Sequence, residues 1–367
     1  MPKLLFVVTE DWYFVSHRLP LAVAARGAGF EVVVATRCTN HCAAIREAGV
    51  TVIPFGMDRR GLNPVGVLRE ALALSALFRR ERPGIVHLVA LRPVVVGQIA
   101  ARLAGIPRVV SAITGMGFLF TAQGRNHWAR RGLERALPRL LSRGLTIVQN
   151  GEDVRQLAAL GVASSRLRLI PGAGVDTGRF SPVPAPEGPP VVMLASRLLW
   201  DKGVGEFVEA AWQLAGSGAR FVLVGAAEDD NPAAISRAEV ERWVRDGVVE
   251  WWGHQADMAA TLAQASIVCL PSYREGLPKV LLEAMACGKP CITTDAPGCR
   301  DAVRHGDNGL LVPVRDAEAL ALAIRRLLEH PEERVRMGAW GRERAVSEFS
   351  QEKVIAATLA GYREVLA

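Results

Sequence analysis

Ser266-Ile-Val-Cys-Leu-Pro-Ser-Tyr-Arg-Glu-Gly-Leu-Pro-Lys-Val-Leu-Leu-Glu-Ala-Met-Ala-Cys-Gly-Lys-Pro-Cys-Ile-Thr293 holds a strand, a loop, a helix and a second strand in one stretch. Ser266–Leu270 and Pro290–Thr293 are short apolar runs of the kind buried on both faces of a parallel sheet. Between them Pro278 suits the first turn of a helix, where a missing N–H costs nothing, and Gly288 with Pro290 stops that helix. Outward from this stretch the alternation continues. Strands are expected near Leu4–Val8, Glu31–Ala35, Ile85–Val89, Arg108–Ala112 and Leu145–Gln149, then near Val191–Ala195, Arg220–Val224 and Val248–Trp251, with helical patterns between. The two series are parted by Ser181-Pro-Val-Pro-Ala-Pro-Glu-Gly-Pro-Pro190, whose five prolines in ten residues admit neither a helix nor a central strand. The expectation is two Rossmann-like, doubly wound α/β domains: one over 1–180, a Pro-rich linker over 181–190, a second over 191–349, and a final helix over 350–367 that crosses back to pack on the first domain. Two such domains facing each other bring the carboxyl ends of both sheets to one cleft, where ligands bind.

The size agrees: 367 residues at about 100–200 per domain is two domains. Half the residues are hydrophobic and 22% are charged, which excludes global disorder. No apolar run is long enough to span a bilayer. The start, MPKLLFVVTED, has too short an apolar run for a signal peptide and reads as a first strand, so a cytoplasmic protein is expected. The net charge of +7 favours anionic partners such as nucleotides or lipid headgroups. Of the six cysteines, Cys38 and Cys42 flank His41, but no second ligand pair stands nearby; the segment is expected as a reduced loop rather than a zinc site.

Within the opening stretch, Glu275-Gly276-Leu277 forms a tight loop onto a helix N-terminus. Free N–H groups there, from Gly276 through Lys279, suit a diphosphate or a sugar oxygen. Glu283 lies about two turns in. Two carboxylates at this spacing can each accept hydrogen bonds from sugar or ribose hydroxyls. The same spacing also fits an ordinary strand–loop–helix unit with a solvated Glu. Ala195-Ser-Arg197-Leu-Leu-Trp-Asp-Lys202-Gly203 leaves another expected strand. Arg197 offers a fork for phosphate and Lys202 a point charge, and fixed cations stabilise a departing diphosphate. Alone, this too reads as two surface cations.

Together these segments resemble glycosyltransferase family 4. Glu275 through Glu283 looks like its E-x7-E motif, Arg197 and Lys202 match its diphosphate-binding pair, and Gly174-Val-Asp176-Thr-Gly-Arg-Phe180-Ser-Pro182 is similar to its interdomain signature. Trp252-Gly253-His254 before Asp257-Met258 resembles the segment lining its base pocket. In the first half, Thr9–Arg18, Val86–Pro93 and Ala112–Phe118, with Gly203–Phe207 and Gly225–Pro232 later, resemble a bacterial subgroup that transfers N-acetylgalactosamine from UDP to undecaprenyl-diphosphate-linked glycans. The chain departs from the family in lacking glycine over Glu10–His17 and in carrying Leu91 where many members have a cleft His.

The resemblance implies a GT-B fold and a retaining, metal-independent hexosyltransferase. It implies no cofactor beyond a nucleotide-sugar donor substrate, and a polyprenyl-diphosphate-linked sugar as acceptor. In it Arg197, Lys202 and Glu275 act on the diphosphate and sugar. Gly276, Leu277, Pro278, Lys279, Glu283, Trp252 and His254 hold the donor. Trp12, His17, Arg18, His87 and Arg92 are the acceptor-side candidates.

The basic stretch Arg125–Arg143, with Trp128 and four leucines among its arginines, can lie on an anionic membrane or form the solvated face of a packed helix. With a lipid acceptor, the first reading places the enzyme peripherally at the inner face of the cell membrane. Dinucleotide oxidoreduction lacks its fingerprint: Gly115-Met-Gly117-Phe-Leu-Phe has no third glycine. Glu228-Asp-Asp230 runs into an Asn231-Pro232 turn and reads as a polar loop, so no essential metal is expected. No nucleic-acid module is present. A nucleotide-sugar epimerase of the same fold, and a non-catalytic membrane-associated partner protein, remain as alternatives.

Overall fold

The computed structural model describes residues 1–57, 64–116, 127–184, 187–227 and 233–367, and only the backbone of 127–129. Gly117 and Phe118, Arg125, the Trp128 side chain, and Glu228–Asp230 with their Asn231-Pro232 turn lie outside the described residues. The chain divides into two units, Met1–Ala173 with Val354–Ala367, and Gly174–Lys353.

The first unit carries β1 (Lys3–Glu10), β2 (Glu31–Arg37), β3 (Thr51–Pro54), β4 (Ile85–Val89), β5 (Val109–Ile113), β6 (Leu145–Val148) and β7 (Leu167–Leu169). They form one parallel sheet in the order β3-β2-β1-β4-β5-β6-β7. Its helices are α1 (Asp11–His17), α2 (Leu19–Gly27), α3 (Cys42–Glu47), α4 (Pro64–Glu81), α5 (Leu91–Ala104), α6 (His127–Leu140) and α7 (Gly151–Ala159). The second unit carries β8 (Val191–Ala195), β9 (Arg220–Val224), β10 (Glu250–Trp251), β11 (Ile267–Leu270), β12 (Cys291–Thr294) and β13 (Gly309–Val312), parallel in the order β10-β9-β8-β11-β12-β13. Its helices are α8 (Val204–Gln213), α9 (Arg237–Arg245), α10 (Met258–Ala263), α11 (Lys279–Ala286), α12 (Cys299–Ala302), α13 (Ala317–Glu329) and α14 (Pro331–Glu348). The last helix, α15 (Gln351–Leu366), joins the first unit from Val354 on. Both sheets are doubly wound and Rossmann-like, the architecture of the GT-B fold expected from the sequence.

Each sheet is packed on both faces, which is why its central strands read as unbroken apolar runs. On one face of the first sheet lie Leu74 and Phe78 of α4, Val94 and Val96 of α5, Leu137 of α6 and Leu157 of α7. On the other lie Phe14, Leu21 and Ile45 of α1 to α3, and Val354 and Tyr362 of α15. Burying each such side chain contributes about 1.5–3 kcal/mol.

Two features differ from expectation. The first unit ends at Ala173, so the Pro-rich stretch lies within the second unit and not between the two. The reason is local: Val175 and Phe180 are buried in the second unit's core, Val175 N–H donates to Phe349 O at 2.9 Å, and Arg342 donates to the carbonyls of Thr177 and Phe180. Cys38 and Cys42 are not reduced thiols but a disulfide, their Cα atoms 5.7 Å apart where the loop enters α3; the other four cysteines are free and buried. The same loop clamps Asp11. That buried carboxylate accepts from Thr39 Oγ1 at 2.6 Å and from the Thr39, His41 and Trp12 N–H groups. Burial opposes its ionisation, but these four donors outweigh it and hold its pKa below the ordinary value.

Candidate active site

In an open α/β sheet, ligands sit beyond the carboxyl ends of the strands where the strand order reverses. In the second unit that point lies between β8 and β11. The loop leaving β8 carries Arg197 and Lys202; the loop leaving β11 carries Glu275. Trp200–Lys202 is a single 3-10 turn closed by Gly203 in the left-handed region, φ +73°. A Cβ on Gly203 would stand 2.1 Å from the Pro271 carbonyl oxygen, so only glycine lets the two loops meet. They are then stitched together: the Tyr273 N–H and Ser272 Oγ both donate to Asp201 O, at 2.9 and 3.1 Å. The Tyr273 hydroxyl donates to Glu206 Oε1 at 2.6 Å, beneath the Arg315 guanidinium. Burial, reinforced by Glu206, pushes that phenol up to about 12, so it remains a donor at neutral pH.

The result is one close pair. Lys202 Nζ donates to Glu275 Oε1 at 2.6 Å, both side chains largely buried. From below, the loop after β12 supports Glu275, whose N–H donates to Pro297 O at 3.0 Å. Gly298, at φ +82°, packs so closely that a Cβ would stand 2.4 Å from the Glu275 carbonyl oxygen. This Pro297-Gly298 prop was not read from the sequence; a proline–glycine turn directly after an apolar strand is the signal that marks it. Cys299 lies under the pair, its thiol pushed up to about 12 by burial and then by Glu275.

Pro278, expected inside the first helical turn, stands at the N-cap of α11 with φ −74° and no side-chain cap. Gly276 and Leu277 are buried beside it. Glu283 is 6% exposed and holds Lys279 Nζ at 2.9 Å across one turn. Burial pushes its carboxyl pKa up, while Lys279 and Arg179 oppose the shift. Each carboxylate of the E-x7-E pair is thus held by a lysine. Arg197 is exposed on its loop, in no ion pair among the described residues. The Trp252 indole donates to Glu250 at 3.0 Å, and His254 follows it in the open.

On the first unit the switch point lies between β1 and β4. Trp12 is half-buried against Tyr13, and His17 stacks on the same Tyr13 at 4.2 Å. Arg18 is buried between α1 and α2. Two further acceptor-side candidates are not free at the surface: Arg92 reaches both carboxylate oxygens of Glu70 at 2.9 Å, and His87 is enclosed within the sheet, its Nδ1 2.5 Å from the Tyr362 hydroxyl. The first follows from α5 packing on α4, which carries Glu70, and the second from β4 being a central strand whose side chains face packed helices. Leu91 stands at the start of α5 as part of the apolar packing.

The described residues contain no cluster of three metal-ligating side chains and no helix long and apolar enough to cross a membrane.

Comparison with known proteins agrees with the fold. The family described as "Glycosyl transferase 4-like" matches residues 3–148, and "Glycosyl transferases group 1" matches residues 189–330. The chain is 29% identical over 327 residues to the N,N'-diacetylbacillosaminyl-diphospho-undecaprenol alpha-1,3-N-acetylgalactosaminyltransferase of Campylobacter jejuni, covering 85% of each. It is 26% identical to the UDP-Gal:alpha-D-GlcNAc-diphosphoundecaprenol alpha-1,3-galactosyltransferase of Escherichia coli, covering 74% of this chain and 73% of that one. Among solved structures, Anabaena HepE in complex with UDP and glucose superposes with a TM-score of 0.81 at 20% identity, covering 98% of this chain and 100% of that one. The Thermosynechococcus elongatus sucrose-phosphate synthase superposes at 0.82 and 22%, covering 100% and 99%. These last two likenesses are of fold.

Proposed function

Since the chain belongs to the family 4 glycosyltransferases, we propose that it moves a sugar, an N-acetylhexosamine, from a UDP-linked donor onto a polyprenyl-diphosphate-linked glycan in bacterial glycan assembly, with retention and without a metal. The observation that carries this reading is the Lys202–Glu275 pair at the second unit's switch point, with Arg197 on the same loop. A donor diphosphate there meets Arg197 and Lys202 directly. Glu283 accepts from the ribose hydroxyls, while Trp252 and His254 border the base. Glu275, with the N–H groups at Gly276–Lys279, orients the sugar.

The bond between the anomeric carbon and the diphosphate oxygen breaks as the acceptor hydroxyl attacks from the same face. The new glycosidic bond forms there, and the hydroxyl proton passes to the departing phosphate oxygen. Lys202 and Arg197 stabilise the charge that grows on that leaving group. No carboxylate is needed as a nucleophile. The two diphospho-undecaprenol relatives support the acceptor class.

Thermal melting with UDP, GDP and ADP, with chelator present, tests the donor side. At about 100 times Kd, a ligand that binds only the folded state adds roughly 2.7 kcal/mol. A rise in Tm with UDP, followed by UDP-sugar turnover that depends on a polyprenyl-diphosphate acceptor, is the expected result. No shift with any nucleotide overturns it.

The lipid acceptor calls for a membrane surface, and the basic stretch supplies only half of one. Leu133 and Leu137 of α6 are buried in the first unit's core, so its apolar side faces inward and its exposed side presents Arg131, Arg135 and Arg139. The apolar half lies on α4, which packs on α5 in the same layer: Val65, Leu68 and Leu72 are 75, 55 and 55% exposed at helical spacing. Helices α4, α5 and α6 together carry nine arginines against three glutamates. In our reading this face rests on anionic lipid at the inner side of the membrane. Leu68→Glu with Leu72→Glu lowers retention on anionic vesicles by roughly tenfold or more; unchanged retention sinks the reading.

A further inference from the structure

Arg18 is a buried cation without a counter-ion. It is 5% exposed, its Nε meets no partner, and no carboxylate of the described residues pairs with it. His87, which feels the Arg18 charge, supplies no counter-charge. His87 is fully buried with its Nδ1 on the Tyr362 hydroxyl, and its Nε2 meets nothing. Burial, and then the Arg18 charge, hold the His87 pKa well below the ordinary value, so the ring is neutral. Helix α2 adds a second feature: it starts at Arg18 with no side-chain cap and no acid in its first turn. An isolated buried charge is strongly unfavourable unless an opposite charge completes it. Arg18 lies where β1 runs through α1 into α2, beside the switch point of the first sheet.

We infer that Arg18, with the start of α2, forms an anion site on the first unit that takes a phosphate oxyanion. The guanidinium fork matches phosphate geometry, and the enclosed position strengthens the attraction relative to water. The site deepens the proposed function: it is the acceptor's diphosphate that would fill it, separate from the donor cations Arg197 and Lys202.

The test is calorimetric binding and thermal melting of the full chain in an Arg197→Ala/Lys202→Ala background, so that the donor side does not contribute. The probes are inorganic diphosphate and farnesyl diphosphate. Both bind, and Arg18→Met weakens them by roughly tenfold or more. Ligand-free, the Arg18→Met protein melts no lower than its parent, since it loses an uncompensated charge. Arg18→Lys keeps the charge but not the fork and gives intermediate affinity. Equal binding of the two probes marks a site for free phosphate; tighter farnesyl diphosphate marks one for a lipid-linked headgroup. Diphosphate binding that is unchanged in both Arg18 variants overturns the inference, as does a ligand-free Arg18→Met protein that melts well below its parent. Neither result depends on whether UDP binds the second unit, so failure of the donor reading is seen separately.

Discussion

Lys202→Ala lowers kcat by about 10²–10³, the scale expected when a preorganised transition-state donor is removed. The loss falls on kcat because the charge that Lys202 meets is largest when the diphosphate is departing. In the free protein Lys202 is held by Glu275 at 2.6 Å. Incoming diphosphate must therefore compete with that carboxylate. The variant also leaves Glu275 without its partner, so the two residues act as a unit. Lys202→Ala and Glu275→Ala are each expected to cost most of what the double variant costs, a non-additive pattern. Steady-state release of UDP in the presence of acceptor reads the rates, with melting curves as the control for folding. A folded Lys202→Ala protein with parental turnover removes the mechanism.

Gly203→Ala is expected to lower stability by about 3 kcal/mol. A left-handed non-glycine residue costs about 1–2 kcal/mol, and the Cβ, 2.1 Å from Pro271 O, forces a backbone shift that adds about 1–3 kcal/mol. At about 2–4 °C per kcal/mol for a unit of this size, Tm falls by roughly 6–12 °C. The control lies two residues on. A Cβ on Gly205 meets only the edge of the Trp200 ring, at 3.1 Å, so Gly205→Ala is near neutral. Similar melting of the two variants would show that the loops after β8 and β11 are not locked as described.

The central strands were legible because they are buried on both faces. Ile85–Val89, Val191–Ala195 and Arg220–Val224 end where the apolar runs end. The strands that escaped reading are β3, β7 and β13, and each lies at a sheet edge. Thr51–Pro54 is only partly buried and two of the three residues of Leu167–Leu169 are exposed, so neither carries the apolar signal. At the site, Lys202 and Glu275 were nameable singly, because the loop after a buried strand is where cations and acids do chemistry. Their contact was not, since it depends on Gly203 meeting Pro271, 68 positions away. His87 shows the opposite failure. A histidine suggests a ligand, but only the fold reveals that a central strand and a helix 275 residues further on enclose it.

That last contact bears on how the molecule is made. The socket for Tyr362 is lined by Phe30 and His87, both translated early, while α15 leaves the ribosome after every residue of the second unit. The first unit therefore waits, with one face of its sheet partly uncovered, until α15 has been made. The second unit, contiguous from Gly174 to Lys353, has all its strands before then. Nascent chains halted before Val354 should hold a finished second unit and an exposed apolar face on the first, the kind of surface that chaperones and proteases recognise.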